Sequence, residues 1–175
     1  MKYCAFLRGV NVKGTAMKMA DICLVFEKLG LSQVSSVLAT GNIIFSSDLN
    51  SEILKQRIEK TMSESFNFEC FLFLKNDVEI DAICKNNPFL IDIDYHTYVL
   101  VGNDTIENTL LDEFNKNENS REEEAKIVDR TLYWKVKKGN TLVSQFGKIL
   151  AKKKFRDQFT SRNLNTFEKV NIKMK

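Results

Sequence analysis

The chain has 175 residues, of which 43% are hydrophobic and 28% are charged, and its net charge is only +3. These values are typical of a globular protein with one domain or two small ones, and they exclude a polycation. One proline and seven glycines leave little sequence for a disordered linker.

The four cysteines do not have the spacing of a metal site. Buried free thiols at Cys4, Cys23, Cys70 and Cys84 are typical of a reducing compartment. The first residues contain no long apolar core after a basic region, and no run reaches the length that spans a membrane. We therefore expect a cytoplasmic protein with no metal, no cofactor and no membrane partner. The sequence leaves its oligomeric state open.

Strand and helix patterns alternate through the first part of the chain. The strand over 2–8 is apolar on both faces, which is typical of a strand that is covered on both sides. Ile22, Val25, Phe26 and Leu29 have helical spacing, and Gly30 is well placed to end their helix. The further predicted elements are strands over 33–39, 43–46 and 69–74 and a helix that starts within 48–51 and ends near 66. This order predicts a ferredoxin-like β-α-β-β-α-β unit over residues 1–76.

A similar order follows a short helix over 77–85, which ends before Pro88. Asp104 with Glu107 resembles a capping box, and Leu132, Trp134 and Val136 should face a core. The predicted elements are a strand over 96–101, a helix ending near 114, a polar loop over 115–124, strands over 125–128 and 131–136, and helices over 141–151 and 163–175. The predicted fold class is α+β, with two tandem ferredoxin-like subdomains packed together. They cover 1–76 and 90–175, a connecting segment covers 77–89, and the second is a variant with an extra C-terminal helix.

The ferredoxin-like order places chemistry-bearing residues at one edge of the first sheet. The end of the first strand meets the hairpin between the second and third strands there, because the first and third strands are antiparallel neighbours. This edge collects the predicted ligand-binding residues Arg8, Gly9, Asn11, Thr40, Gly41 and Asn42. Arginine presents a planar fork of donors to phosphate or carboxylate, and a helix start adds free amide groups. The alternative is that Arg8 pairs with a carboxylate and that Thr40-Gly41-Asn42 only forms a turn.

The same stretch does not form a nucleotide-hydrolysing phosphate loop. Gly9 and Gly14 have the spacing of the two glycines in such a loop, but Lys13 precedes the second glycine instead of following it. The position of Lys13 therefore does not indicate that its ammonium group contacts the same phosphates.

Several blocks of the sequence resemble a bacterial family catalogued as domain of unknown function 1697. The blocks are FLRGVNV at 6–12, LGL at 29–31, TGNIIFS at 40–46 and TSRNLNT at 160–166. This chain departs from the family pattern at Lys13, where glycine is usual, at Thr40, where serine is usual, and at Leu164, where tryptophan is usual. The resemblance implies an α+β fold with ferredoxin-like units, and it implies no activity.

A second arginine–asparagine pair precedes the predicted last helix. Thr160, Arg162 and Asn163 complete the set of predicted ligand-binding residues, although Thr160 or Asn163 could simply cap that helix. If this segment meets the Arg8 segment, the two would form a cleft rich in arginine and asparagine donors. The first hypothesis is therefore a small anionic ligand that carries phosphate or carboxylate.

Charge is unevenly distributed, which supports an alternative function. Residues 104–129 hold nine acids and three bases, whereas residues 130–175 hold thirteen bases and two acids. The basic part could bind nucleic acid through the lysines of 148–156, although a solvated face is the preferred explanation. A third alternative is an interaction protein without a small ligand. No catalytic set is visible, since His96 is the only histidine and Ser144 lies near a helix start, where a cap is the simpler role.

Overall fold

The computed structural model describes residues 1–10, 17–117 and 122–175. They form two compact units, one of residues 1–81 with 168–175 and one of residues 82–167. Within these described ranges, none of the helices combines the length and the apolar character that crossing a lipid bilayer requires. The limits predicted from the sequence, 1–76 and 90–175, remain a prediction.

The first unit contains each element that the sequence predicts for it. These elements are β1 (Lys2–Arg8), α1 (Met19–Lys28), β2 (Ser32–Val37), β3 (Asn42–Ser46), α2 (Ser51–Phe66) and β4 (Phe71–Asn76). The four strands form one antiparallel sheet in the order β2-β3-β1-β4. The central position of β1 explains why residues 3–7 of this strand are apolar and buried.

Both faces of β1 are buried, as its sequence predicts. One face carries Tyr3, Ala5 and Leu7, which belong to a core with residues from α1 and α2. On the other face, Cys4 and Phe6 are fully buried. The helix residues in the first core are Ile22, Val25, Phe26, Leu54, Ile58 and Met62.

Local signals set the start of α2 and the end of α1. Asn50 accepts a hydrogen bond from the amide of Ile53 at 2.9 Å and so caps the start of α2. Gly30 follows α1 with a φ of +80°, and its amide donates to the carbonyl of Glu27. Glycine adopts this left-handed conformation at little cost, which confirms Gly30 as the end of α1.

The second unit has the same sheet order. Its elements follow α3 (Asp77–Lys85), whose last residues belong to it, and its four strands form an antiparallel sheet in the order β6-β7-β5-β8. The elements are β5 (Tyr95–Gly102), α4 (Ile106–Asn115), β6 (Glu123–Val128), β7 (Thr131–Lys137), α5 (Gln145–Leu150), a short 3₁₀ helix (Lys153–Phe155), β8 (Phe159–Asn163) and the start of α6 (Leu164–Met174). Leu132, Trp134 and Val136 face its core, as predicted.

Trp134 is the largest fully buried side chain of this core. Its ring lies 5.4 Å from that of Phe146, edge to face, and its indole N–H donates to the carboxylate of Glu123 at 3.2 Å. Edge-to-face packing suits the aromatic quadrupoles, and the carboxylate satisfies a donor that burial would otherwise leave unpaired.

Three local predictions for this unit are wrong. Residues 159–163 form the strand β8, so Thr160 does not cap a helix, whereas Asn163, the other predicted cap, directly precedes α6 and accepts from the amide of Asn165 at 3.0 Å. Helix α5 is shorter than the predicted span of 141–151. The capping box is absent, because Thr105 takes the N-cap position with a φ of +67° and makes no side-chain cap, while Asp104 pairs with Arg130. The polar residues 159–163 form a strand because they pair with β5. The pattern of this segment alone does not reveal that pairing.

Candidate functional site

At one edge of the first sheet, which we call the turn edge, the end of β1 lies beside the turn between β2 and β3. This edge brings together residues about thirty positions apart in the sequence. The amide of Leu7 donates to the carbonyl of Gly41 at 2.8 Å, and Phe6 is paired with Asn42. The end of β1 therefore lies directly against the turn between β2 and β3.

Gly41 is required by the closeness of this approach. It has a φ of +75°, and a Cβ atom there would lie 2.6 Å from Cγ2 of Val10 and 3.0 Å from Cβ of Leu7. Such distances are below van der Waals contact, so a larger residue would push β1 and the turn apart. Packing explains this glycine without a ligand.

Asn42 is a buried strand residue, which corrects its prediction as part of a tight turn. It begins β3 and is fully buried, whereas the turn itself covers residues 38–41. Its Nδ2 donates to the carbonyl of Val37 and to Oγ1 of Thr40, each at 2.9 Å. The amide thus ties together the two ends of the turn and satisfies a buried carbonyl.

Arg8 is the charged group at this edge. It is half-buried, it pairs with Phe71 at the start of β4, and strand alternation places it on the face of Cys4 and Phe6. Gly9 follows with a φ of +81°, and no described atom lies within 4 Å of the position where its Cβ would be. Unlike Gly41, Gly9 is therefore explained by backbone conformation and not by close packing.

The predicted binding residue Asn11 lies outside the described residues, as do residues 12–16. The described residues on either side are joined, since the amide of Met17 donates to the carbonyl of Val10 at 3.4 Å. Val10 and Met17 are therefore neighbours at this edge.

In the second unit, Arg162 folds back on its own strand. Its Nη1 donates to Oγ1 of Thr160 and to the carbonyl of Ser161, each at 2.8 Å. Nδ2 of Asn163 lies 3.1 Å from Nδ1 of His96, and its Oδ1 accepts from the amide of Asn165. Asn163 thus links β8 to β5 and to the start of α6. A single cleft formed with Arg8 remains a prediction.

The basic stretch of residues 148–156 is partly neutralised. Lys152 and Lys154 lie 3.9 Å and 3.2 Å from the carboxylate of Glu113. The hydrogen bond from Lys154 and the nearby ammonium groups lower the pKa of Glu113. Ser144 caps α5 by accepting from the amide of Gly147 at 3.0 Å, which confirms its structural role.

The first unit also contains a groove that has no counterpart in the sequence predictions. It has a volume of about 700 Å³ and lies between the start of β1, α3 and the end of α6. Asp81 accepts from Nδ2 of Asn171 at 3.2 Å, and Nζ of Lys2 donates to the carbonyl of Met174 at 2.7 Å. These partners are 90 and 172 positions apart in sequence, so no local motif could have indicated them.

The sequence model of one family, described as "Protein of unknown function (DUF1697)", matches residues 1–133. The block at 160–166 lies beyond that range. A solved structure, that of the conserved bacterial protein SP0830 from Streptococcus pneumoniae, is similar with a TM-score of 0.81 and 22% sequence identity. The similarity covers 99% of this chain and 97% of that chain, and it concerns the fold. Comparison with curated proteins gives no match. Because the family match covers 133 of the 175 residues, the chain belongs to this family of unknown function.

Proposed function

We propose that the protein binds a small anionic ligand, one that carries a phosphate or carboxylate, at the turn edge of the first sheet. Arg8 provides the charge, and its neighbours Gly9 and Thr40 line the approach. The observation that carries the proposal is the position of Arg8, a half-buried arginine that directly follows the buried apolar run of residues 3–7 and precedes a glycine with a φ of +81°.

The chemistry of these groups supports an anion. A guanidinium is always charged and offers two parallel N–H groups to two oxygens of one ligand. Partial burial lowers the local dielectric constant, so such a pair is stronger here than on an open surface. No described atom lies within 4 Å of the Cβ position of Gly9, which supports the approach of a ligand to the backbone amides there. Asn42 is assigned a supporting role, since its amide is used to hold the turn.

The second arginine segment is proposed as an additional binding group. Thr160 and Ser161 hold the guanidinium of Arg162 on its strand, which would reduce the entropy lost when that group binds an anion. Asn163 is less available, because both ends of its amide contact His96 or Asn165.

The finer fold assignment belongs to the same proposal. We infer that both units are ferredoxin-like, because each has the order β-α-β-β-α-β and a sheet in which the first strand lies between the third and the fourth. The four free cysteines support a reducing, cytoplasmic location.

Ligand-dependent stabilisation tests the function. Melting temperatures are measured with inorganic phosphate, nucleoside monophosphates, sugar phosphates and dicarboxylates. A ligand present at about 100 times its Kd should stabilise the fold by about 2.7 kcal/mol. Arg8→Ala should abolish this response, and Arg8→Lys should recover only part of it, because lysine lacks the planar fork.

The matched control is Arg130→Ala. Arg130 occupies the hairpin turn of the second unit, is 73% exposed, and pairs with Asp104 at 3.3 Å. Its loss should leave the ligand response unchanged. The proposal is refuted if no anion raises the melting temperature of the unaltered protein more than that of the Arg8→Ala variant.

Nucleic-acid binding has less support, because Glu113 neutralises two of the basic residues. It would show as an affinity that falls steeply with salt and with replacement of Lys152, Lys153 and Lys154 by glutamine.

A further inference from the structure

The groove beside α3 and α6 is separate from the turn edge and is large enough to hold a small molecule. Its volume of about 700 Å³ is in the range of pockets that bind such ligands. All of its lining residues belong to the first unit. The groove lies at the start of β1, whereas Arg8 lies at the end of that strand. The two places therefore share no residue.

The groove is formed by one row of the first sheet and by two helices. Lys2 and Ser46 pair across β1 and β3, and strand alternation places Lys2 on the face opposite to Tyr3, which packs in the core. Val78 and Asp81 are three positions apart in α3 and so share one side of that helix. The last turn of α6 forms the other wall.

Three contacts hold α6 beside the groove. Nζ of Lys2 donates to the carbonyl of Met174 at 2.7 Å. Asp81 accepts from Nδ2 of Asn171 at 3.2 Å, and its carboxylate lies 3.8 Å from Nζ of Lys175. Because these contacts fix both walls, a ligand would bind with little reordering of the protein.

Two opposite charges in the groove remain available to a ligand. The ammonium of Lys2 is directed toward α6, forms no ion pair with a described residue, and has two further N–H donors. The carboxylate of Asp77 is exposed and, within the same part of the chain, takes part in no hydrogen bond or ion pair. Tyr3 pairs with Asn76, so Lys2 and Asp77 come at neighbouring ends of β1 and β4, and adjacent strands are only about 5 Å apart. One small molecule can therefore contact both charges.

We propose that the groove binds a small zwitterion with an apolar side chain, of the size of an amino acid or a dipeptide. The ammonium group of the ligand binds Asp77, and its carboxylate binds Lys2. Its side chain covers Val78, which lines the groove and is 74% exposed. A ligand with a single charge would satisfy only one of the two protein charges, and charge-assisted hydrogen bonds are the strong ones in such a site.

Calorimetric titration of the full chain with L-leucine and L-leucyl-L-leucine tests the proposal. At least one of these zwitterions should bind with a Kd below about 10 mM. Its N-acetyl derivative lacks the ammonium charge, and its C-terminal amide lacks the carboxylate charge. Each derivative should bind at least ~10-fold more weakly, because one hydrogen bond between charged groups is lost.

Variants assign each charge to its partner. Lys2→Gln should weaken binding of the zwitterion at least ~10-fold and leave binding of the amide derivative unchanged, since that contact is already missing there. Asp77→Asn should act in the same way on the zwitterion and the N-acetyl derivative. The matched controls are Asp21→Asn and Lys28→Gln, which alter exposed residues at the two ends of α1 and should leave all affinities unchanged.

Four results would overturn the proposal. They are no binding of either zwitterion up to about 10 mM, unchanged affinity in both variants, a derivative with one charge that binds as tightly as the zwitterion, and loss of binding in Arg8→Ala. The third result would indicate a singly charged ligand, and the fourth would place the zwitterion at the turn edge. Binding that survives Arg8→Ala supports the groove whether or not the turn edge binds an anion.

Discussion

The two units have the same sheet order and differ where the sheet ends. In the first unit, the hairpin turn contains the packed Gly41 and is followed by the buried Asn42, and the first crossover begins with Gly9, which has no described atom within 4 Å of its Cβ position. The second unit differs at both the hairpin turn and the first crossover. The hairpin turn is Asp129 and Arg130, with φ values of 45° and 59°, and the glycine of the first crossover, Gly102, is packed tightly.

This difference shows how one topology supports two kinds of edge. A Cβ on Gly102 would lie 2.4 Å from the carbonyl oxygen of Gln158, so the corresponding edge is closed by backbone. Among the described residues, an arginine precedes a glycine with no described atom near its Cβ position at Arg8 and Gly9 of the first unit. Topology therefore does not predict a binding site, and the local packing of each turn decides where a ligand could approach.

The largest effect is expected at the closed edge. Gly102→Ala should lower the free energy of unfolding by about 3 kcal/mol, because the new methyl group meets a backbone oxygen that cannot move away cheaply. Gly9→Ala should cost only about 1 kcal/mol, since the penalty there comes from the left-handed backbone alone. Urea denaturation of both variants measures the difference. Equal losses would mean that the space at Gly9 is filled or that the packing at Gly102 relaxes, and the contrast between the two edges would be lost.

An intermediate effect is expected at the hairpin turn. Asn42→Ala removes two hydrogen bonds and leaves the buried carbonyl of Val37 unsatisfied, which should cost about 2 kcal/mol in the same measurement. The control is Thr131→Ala at the first residue of β7, the matching position in the second unit. If the two substitutions cost the same, the Asn42 amide does not hold the turn.

The smallest effect concerns pH, and the two units should respond in opposite directions. Burial raises the pKa of Glu59 in the first unit above 4.5, although the amide of Leu72 opposes this shift. Its contribution to stability is therefore present below pH 4.5 and is lost as pH rises through the folded pKa. The pKa of Glu113 in the second unit is lowered by Lys154, so its contribution is present above pH 4.5 and is lost as pH falls through the folded pKa.

Urea denaturation across this pH range separates the two glutamates. Glu59→Gln should remove the loss of stability above pH 4.5, and Glu113→Gln should remove the loss below it. Glutamine keeps the oxygen that accepts from Leu72, so the first substitution tests the charge and not the hydrogen bond. If Glu59→Gln leaves the pH dependence unchanged, burial does not perturb this carboxyl.

Much of the fold could be predicted from local patterns. The apolar strand β1, the helical stripe of α1 and the glycine that ends it depend on neighbours within a few residues, and all appear as expected. The strand β8 was missed, because its polar sequence is a strand only through pairing with β5. Asn42 was assigned to the turn for a similar reason, since its burial depends on the position of β1.

The candidate site divides in the same way. The sequence by itself determined that Arg8 and the hairpin turn belong to one sheet edge, because strand order follows from the succession of elements and the direction of each strand. The sequence also indicated the family, because several short blocks of residues resemble the family's pattern. Only the tertiary structure decided which of those residues are structural. Whether Gly41 is packed, Asn42 buried or Gly9 surrounded by space depends on distances between segments far apart in the chain, and those distances are fixed only when the whole core packs together.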